Sequence, residues 1–403
     1  FPKQEIFFSQ MKLQVVSPWY PNRYTPYAGE FVHSQVKSLL DRNIDVSVEV
    51  PKVFSLPDKY VSQIYLDAVI SIARNNPDSA FVSNNEATFI PCLLPTKTNP
   101  TKTAEAFEIG IKTKRDFLPT DFDLMHAHLA LPTGLAAYRL SDKPLIITEH
   151  QSGLEKLLSS PQSREAYLEV IESADAFICV SDFLKEKLID IYGSRISQMI
   201  KIVPNVVDFN SFNFIHREKY ESLSWLYVGS FFRHKGIIKL LKTFASYKKH
   251  VAPSATLTLI GTGPLLPWVE RFCKRKGIRE SVFLTGAQPH SLLKNYFAKS
   301  DLLVHLSDQE TFGIVSLEAI ASGVPVVSFN NGGTDFTWKN ISDLCGRLID
   351  KNSNEQHIIE TIIDLSEHSE ALDLFEARSR LEERFSPDVV SNQLISIYKR
   401  AMA

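Results

Sequence analysis

The chain is 403 residues long, 44% hydrophobic and 22% charged, with a formal net charge of -2. At roughly 100–200 residues per domain this length suits two or three domains with sizeable cores. The near-neutral balance excludes the broad basic field of a nucleic-acid-binding chain, and no apolar run approaches the ~20 residues of a membrane-spanning helix.

The N-terminal stretch FPKQEIFFSQ lacks the long apolar core and small-residue cleavage site of a secretory leader, and residues 1–10 receive no function. From Met11 short β-branched runs alternate with helical patterns. KLQVVS (12–17) and DVSVEV (45–50) read as strands, with Phe31, Val32, Val36, Leu39 and Leu40 on one helical face between them. LMHAH (124–128), PLIITEH (144–150), AFICVS (176–181) and IKIVP (200–204) follow. PNVVDFNSFN (204–213) is a linker by its Pro, Asn and Asp content. The alternation then restarts with SWLYVGS (224–230), ATLTLIG (255–261), SVFLTG (281–286), DLLVHL (301–306) and VPVVSF (324–329), separated by helical segments such as 236–250 and 265–276. A last helix covers Asp388 to Met402.

This pattern predicts an α/β chain of two Rossmann-like, doubly wound domains facing each other across a cleft. The expected divisions are 1–207, 208–385 and a terminal helix, 386–403, packed back on the first domain. The four cysteines, Cys92, Cys179, Cys273 and Cys345, form no C-x-x-C pair and read as small buried hydrophobes of a reducing compartment.

Open parallel sheets bind ligands beyond the carboxyl ends of their strands, so the loops there hold the candidate chemistry. In SDQETFGIVSLEAIASGVPVVSFNNGG (307–333), Glu310 and Glu318 have seven residues between them. If helical, that interval spans ~12 Å, too far to share a proton and suited to the two ends of an elongated ligand. A helix starting near Phe312 would aim the amides of Phe312, Gly313 and Ile314 at an anion between them. The spacing alone fits equally an ordinary amphipathic helix closed by Gly323. GSFFRHKG (229–236) adds Arg233 and Lys235 before a helix start, where cations oppose the dipole unless an anion joins them. GTGP (261–264) and NNGGT (330–334) supply glycine turns through which backbone amides can approach phosphate.

With Gly229…Lys235-Gly236, Gly261-Thr-Gly263-Pro264, Glu310-Thr311-Phe312-Gly313, Glu318-Ala319, Gly323, Pro325-Val-Val327 and Gly332-Gly333 in this order, the second half resembles the retaining glycosyltransferases of family 4, which have the GT-B fold. PNVVD (204–208) is similar to the family's interdomain segment, and the first half resembles it more loosely through Tyr20-Pro21, Gly29, His126-Ala-His128 and Thr148-Glu-His150. The resemblance implies metal-independent sugar transfer with retention from a nucleotide-diphosphate sugar, a UDP-sugar ahead of a GDP-sugar, and no cofactor. The acceptor would be a carbohydrate, lipid-linked or small-molecule hydroxyl bound by the first domain, with no nucleic-acid partner. The implied location is cytoplasmic, with at most peripheral membrane contact.

The same resemblance assigns His150, Lys235 and Glu310 to catalysis. It assigns Gly29, Ser230, Arg233, Gly261, Gly263, Thr311, Phe312, Gly313, Ile314, Glu318 and Gly333 to the donor, and Tyr20 and His128 to the acceptor side. Ser230 stands where many relatives carry an arginine, and Arg233 is the expected substitute. His126 and His128 are expected on opposite faces of their strand, leaving only His128 for a pocket. DFD (121–123) is a weak metal motif before a strand, and KTKR (112–115) is expected in a solvated surface loop, with contact to an anionic membrane or acidic acceptor as the alternative. CKRKGIR (273–279) suits a helix C-terminus. Two rival functions remain. An epimerase or inverting transferase of the same fold would need a base in Pro18–Gly29, which has none, although Glu30 follows. A non-catalytic partner would be expected to lose Glu310 or Lys235, and both are present.

Overall fold

The computed structural model describes residues 11–22, 25–55, 82–83, 87–94, 99–217 and 223–403; the N-terminal stretch 1–10 lies outside the described residues. The chain divides into two compact units. One comprises Phe1–Pro21, Ala28–Pro204 and Val390–Ala403, the other Asn22–Tyr27 and Asn205–Val389.

The first unit is built on strands β1 (Lys12–Val16), β2 (Asp45–Ser55), β3 (Val82–Ser83), β4 (Ala87–Leu94), β5 (Leu124–His128), β6 (Leu145–Glu149), β7 (Ala176–Cys179) and β8 (Ile200–Ile202). Their order is β3-β4-β2-β1-β5-β6-β7-β8, parallel except for the β3–β4 pair. Helices over both faces make β5, β6 and β7 buried at every position, so they read as continuous runs rather than alternating ones. β4 escaped the sequence patterning because Pro91 interrupts it. β3 pairs only with Thr88 and Phe89, so Pro91 sits where the outer side of β4 has no neighbouring strand among the described residues, a position that tolerates a missing N–H.

The second unit carries β9 (Ser224–Val228), β10 (Thr256–Ile260), β11 (Val282–Gly286), β12 (Leu302–His305), β13 (Val326–Phe329) and β14 (Gly346–Ile349), all parallel, in the order β11-β10-β9-β12-β13-β14. β14, with Arg347 at its middle, is too short for a visible period. The helix Ile237–His250 buries Ile237, Leu240, Leu241, Phe244 and Tyr247, a stripe at helical spacing, against Trp225 of β9. Strand order reverses beside β1 in one unit and beside β9 in the other. The carboxyl ends of β1 and β5, and of β9 and β12, are therefore the topological switch points.

Several local expectations change. Leu40 ends its helix 41% exposed, while Gln35 and Ser38 are buried instead. KTKR is no loop: it lies in the helix Pro100–Phe117, and Lys114 and Arg115 turn inward to the buried Glu49 of β2, at 3.2 and 2.8 Å. DFD is structural, since Asp123 accepts from the Lys12 N–H at 2.8 Å and Asp121 pairs with the Lys12 ammonium at 2.5 Å. The basic run at 273–279 does end a helix, Leu266–Lys276, with Gly277 left-handed after it. All four cysteines are free and buried. The last helix is Pro387–Ala401, and from Val390 onward it groups with the first unit. Among the described residues no helix is long and apolar enough to cross a membrane.

Removing one partner of a buried charge cluster leaves the others uncompensated. Glu49→Ala is expected to lower unfolding free energy by roughly 3 kcal/mol, read as a drop in the urea midpoint; an unchanged midpoint would contradict the cluster's role.

Candidate active site

In the second unit the loops after β9, β10, β12 and β13 are laced together by backbone. Gly236 shows why glycine is required. It sits at φ +74°, and a Cβ there would stand 1.8 Å from the Leu306 carbonyl oxygen. That close approach brings the 229–236 loop onto the end of β12, where Asp308 N–H donates to the His234 carbonyl at 2.9 Å. Tyr227 holds the loop from below, its hydroxyl donating to the Ser230 and Lys235 carbonyls at 3.0 and 3.3 Å. Gly261 and Gly263 lie against the backbone of Gly229 and Phe231, and Gly333 lies against that of Glu310 and Phe312. These three glycines, expected as openings for phosphate, are first of all places where two loops touch.

The lacing puts Lys235 beside Glu310. Glu310 Oε1 accepts from Lys235 Nζ at 2.8 Å and from His305 Nε2 at 3.2 Å, with 14% of the Glu310 side chain exposed. Burial alone would push this carboxyl up; the Lys235 charge and the His305 hydrogen bond overcome that and hold it well below the usual carboxylate range. Both contacts fall on Oε1, and Oε2 accepts none among the described residues. Glu310 is not helical. It forms an isolated parallel bridge with Gly332, and its N–H donates to the Asn331 carbonyl at 3.2 Å.

The helix that follows begins at Ile314, not near Phe312. Its N-cap is Gly313 in the left-handed region at φ +77°, with no side chain capping the first turn. Helices starting after Gly29 and Gly236 share this form, whereas Asn99, Ser160, Ser181, Asn354 and Asp373 cap theirs with side-chain oxygens. Uncapped first-turn amides are donors available to an anion. Ile314 is half-buried at that end, and Thr311 is buried beside it. The Phe312 ring packs on Phe385 at 5.2 Å, so only its backbone can face a ligand. One helical turn on, Glu318 is 3% exposed; its Oε1 lies 2.6 Å from His290 Nε2, and its buried Oε2 has no hydrogen-bond partner among the described residues. Arg233 is exposed and makes no ion pair among the described residues, and Ser230 is half-buried.

In the first unit, Gly29 (φ +73°) packs on the Trp19–Tyr20 backbone. Tyr20, expected toward the acceptor, is 1% exposed with its ring edge-on to His33, so it shapes the loop instead of offering a surface. His126 and His128 do not face opposite ways. Residues two apart on a strand share a face, and the two rings stack with centroids 4.6 Å apart. His128 in turn stacks on His150 at 5.1 Å, with His128 Nδ1 2.8 Å from His150 Nε2. Burial pushes the His126 imidazole down to about 3, and burial with two neighbouring imidazoles pushes His128 far down as well. Glu149, fully buried, holds the His150 backbone: it accepts from the N–H groups of His150 and Gln151 at 2.8 Å, from Ala130 N–H at 3.1 Å and from Tyr167 Oη at 2.8 Å. Burial raises its pKa against those four bonds.

Thus Lys235 and Glu310 are brought into contact, as are His128 and His150, while Arg233 stands apart. His290 and His305 carry no motif of their own in the sequence, and Glu149 shows there only as part of Thr148-Glu-His150. His305 ends β12 and His290 follows β11, so the rule of looking beyond strand carboxyl ends would have found both.

Residues 208–384 match the family model described as Glycosyl transferases group 1, and residues 28–211 match that of Glycosyltransferase Family 4. TuaC of Bacillus subtilis (strain 168), named for teichuronic acid biosynthesis, is 26% identical over 370 residues, covering 87% of this chain and 88% of its own. N-acetyl-alpha-D-glucosaminyl L-malate synthase of Bacillus anthracis is 26% identical over 226 residues, covering 53% and 58%. Among solved structures, sucrose-phosphate synthase (tll1590) from Thermosynechococcus elongatus superposes with TM-score 0.72 at 18% identity over 97% of this chain and 98% of its own. Anabaena Alr3699/HepE, solved with UDP-glucose, gives 0.68 at 16% identity over 96% and 99%. At these identities the structural likeness shows the fold, GT-B.

Because Glu310 has a lower pKa folded than unfolded, its stabilisation is present above about pH 4.3 and is lost as pH falls through the folded value. The melting-temperature gap between wild type and Glu310→Gln should be widest near pH 7 and narrow below about pH 4. A gap constant with pH, followed by thermal denaturation, would contradict the ionised pair.

Proposed function

The chain belongs to the family 4 glycosyltransferases, and on that footing we propose that it transfers a sugar from a nucleotide-diphosphate sugar to an acceptor hydroxyl with retained anomeric configuration and without a metal. The observation that carries this is the Lys235–Glu310 pair beside the uncapped amides of the helix Ile314–Ala321. A cation and a set of free N–H groups suit a diphosphate, and two carboxylates suit hydroxyls.

In this reading the second unit holds the donor. The diphosphate takes the first-turn amides and Lys235, with Arg233 reaching it from the exposed end of its loop. Glu318 Oε2, buried and without a hydrogen-bond partner among the described residues, accepts from a ribose hydroxyl. Glu310 Oε2 accepts from a hydroxyl of the sugar. The first unit binds the acceptor, a hydroxyl of a carbohydrate, a lipid-linked glycan or a small molecule, and His150 hydrogen-bonds the transferred sugar. Uridine is the favoured base, because a GT-B neighbour was solved with UDP-glucose.

The step breaks the bond between the anomeric carbon and the β-phosphate oxygen and forms one from that carbon to the acceptor oxygen on the same face. The departing phosphate oxygen takes the acceptor's proton. Negative charge gathers on the β-phosphate as it leaves, and Lys235 with the helix amides stabilises it where it develops. Glu310 orients the sugar and stays ionised throughout, because Lys235 and His305 hold it so.

Lys235→Ala and Glu310→Gln are each expected to cut turnover at least ~100-fold, the scale of losing one transition-state contact. A thermal-shift series with UDP, GDP and ADP and their sugars, followed by single-turnover assays with the stabilising donor, is the test. Near-normal turnover in both variants would overturn the assigned roles.

A further inference from the structure

Successive side chains of a strand alternate between faces, so Glu49 and Lys52 of β2 belong to opposite faces of the sheet. Glu49 has its countercharges, Lys114 and Arg115, at 3.2 and 2.8 Å. Lys52 has no such partner among the described residues. It is half-buried, and its ammonium makes one hydrogen bond there, donating to the Pro18 carbonyl at 2.7 Å. Burial pushes its pKa down, and no carboxylate opposes that shift. A cation withdrawn from water is ordinarily paired with an anion. Here a carbonyl dipole stands in for one, and two of the three N–H donors of the ammonium are left over.

The position of Lys52 says what those donors face. β1 pairs with β2 as far as Val16 and Glu49, and the Ser17 N–H donates to the Glu49 carbonyl. Lys52 therefore stands past the carboxyl end of β1, at the switch point, and Pro18 belongs to the loop that opens there. The next residue, Trp19, is 38% exposed although its backbone is tied down. Its N–H donates to Ser17 Oγ at 3.2 Å, Ser17 Oγ donates to its carbonyl at 2.8 Å, and Gly29 lies against that carbonyl. The indole meets Phe31 edge-on at 6.2 Å, and the Phe31 ring lies 4.5 Å from that of His150. An indole held open to solvent on a fixed backbone is a platform for the apolar face of a ring. Pro18–Gly29 contains no acid to compete for Lys52, and Glu30, which follows, lies 3.3 Å from His33.

We propose that the acceptor is anionic: a carboxylate or phosphate ester on it takes the spare N–H groups of Lys52 while its ring lies on Trp19. This rests on the assignment of the acceptor to the first unit and adds to it the acceptor's charge. The contacts run from Lys52 through the Pro18–Trp19 backbone and Phe31 to His150, so the charged group is held apart from the hydroxyl that reacts.

Ligand-detected NMR titrations of the full-length chain, with and without UDP, test this with methyl glucoside, methyl glucuronide and methyl glucoside phosphate as probes. They share a ring and differ in charge: none, a carboxylate or a phosphate. At least one charged probe should bind wild type ~10-fold more tightly than the neutral one, the scale of a charge-assisted hydrogen bond, and which one does so tells carboxylate from phosphate. Lys52→Met should abolish that preference and Lys52→Arg should keep it, both with unchanged UDP affinity. Trp19→Ala should weaken all the probes alike and leave their ratio intact. Charged probes that bind wild type no more tightly than the neutral one, or not at all, overturn the proposal, as does a preference that survives in Lys52→Met. A wild type that prefers a charged probe yet binds no UDP upholds the anion site and removes instead the donor reading of the second unit.

Discussion

The second unit depends on one ion pair. Lys235 and Glu310 come from loops 75 positions apart, and their contact at 2.8 Å is made possible by Gly236 lying on the Leu306 carbonyl. Without a Cβ at that point the two loops share backbone hydrogen bonds; with one they would have to part. The pair is largely withdrawn from water, and the Lys235 charge keeps the Glu310 carboxylate ionised there. A diphosphate arriving at the same loops would give Lys235 a second anion and would meet helix amides that no side chain has capped.

The first unit solves a different problem. A central parallel strand is covered on both faces, yet β5 places two imidazoles there. His126 is bonded at both ring nitrogens, to Tyr398 and Thr148, whereas His128 stacks on it and meets only His150, its buried Nε2 having no hydrogen-bond partner among the described residues; the row ends at His150, beside the buried Glu149. The network ties the terminal helix, through Tyr398, to the strand ends that carry the candidate chemistry.

Much of this was legible in the sequence. The strand–helix alternation gave the two α/β halves, because strands buried on both faces announce themselves as apolar runs. The motif loops were legible because glycines are few and stand directly after strands. What escaped detection had physical causes. Glu310 and Glu318 look like one helical interval, but the left-handed Gly313 delays the helix to Ile314. KTKR looks solvated until Glu49, 65 positions away from Lys114 in sequence, is placed beneath it. His290 and His305 carry no motif of their own; their partners, Glu318 and Glu310, are visible only once the loops are folded together. The pairing of His128 with His150 likewise follows from strand register, not from any local pattern.

Calorimetric titration with UDP alone, lacking the sugar, is the most direct test of the central claim that Lys235 is shared between Glu310 and the donor's phosphates. Lys235→Ala should weaken UDP binding at least ~10-fold, about 1.4 kcal/mol, while Glu310→Gln, which releases Lys235 from its carboxylate, should bind UDP as tightly as wild type or more so. Equal UDP affinity in wild type and Lys235→Ala would contradict the account.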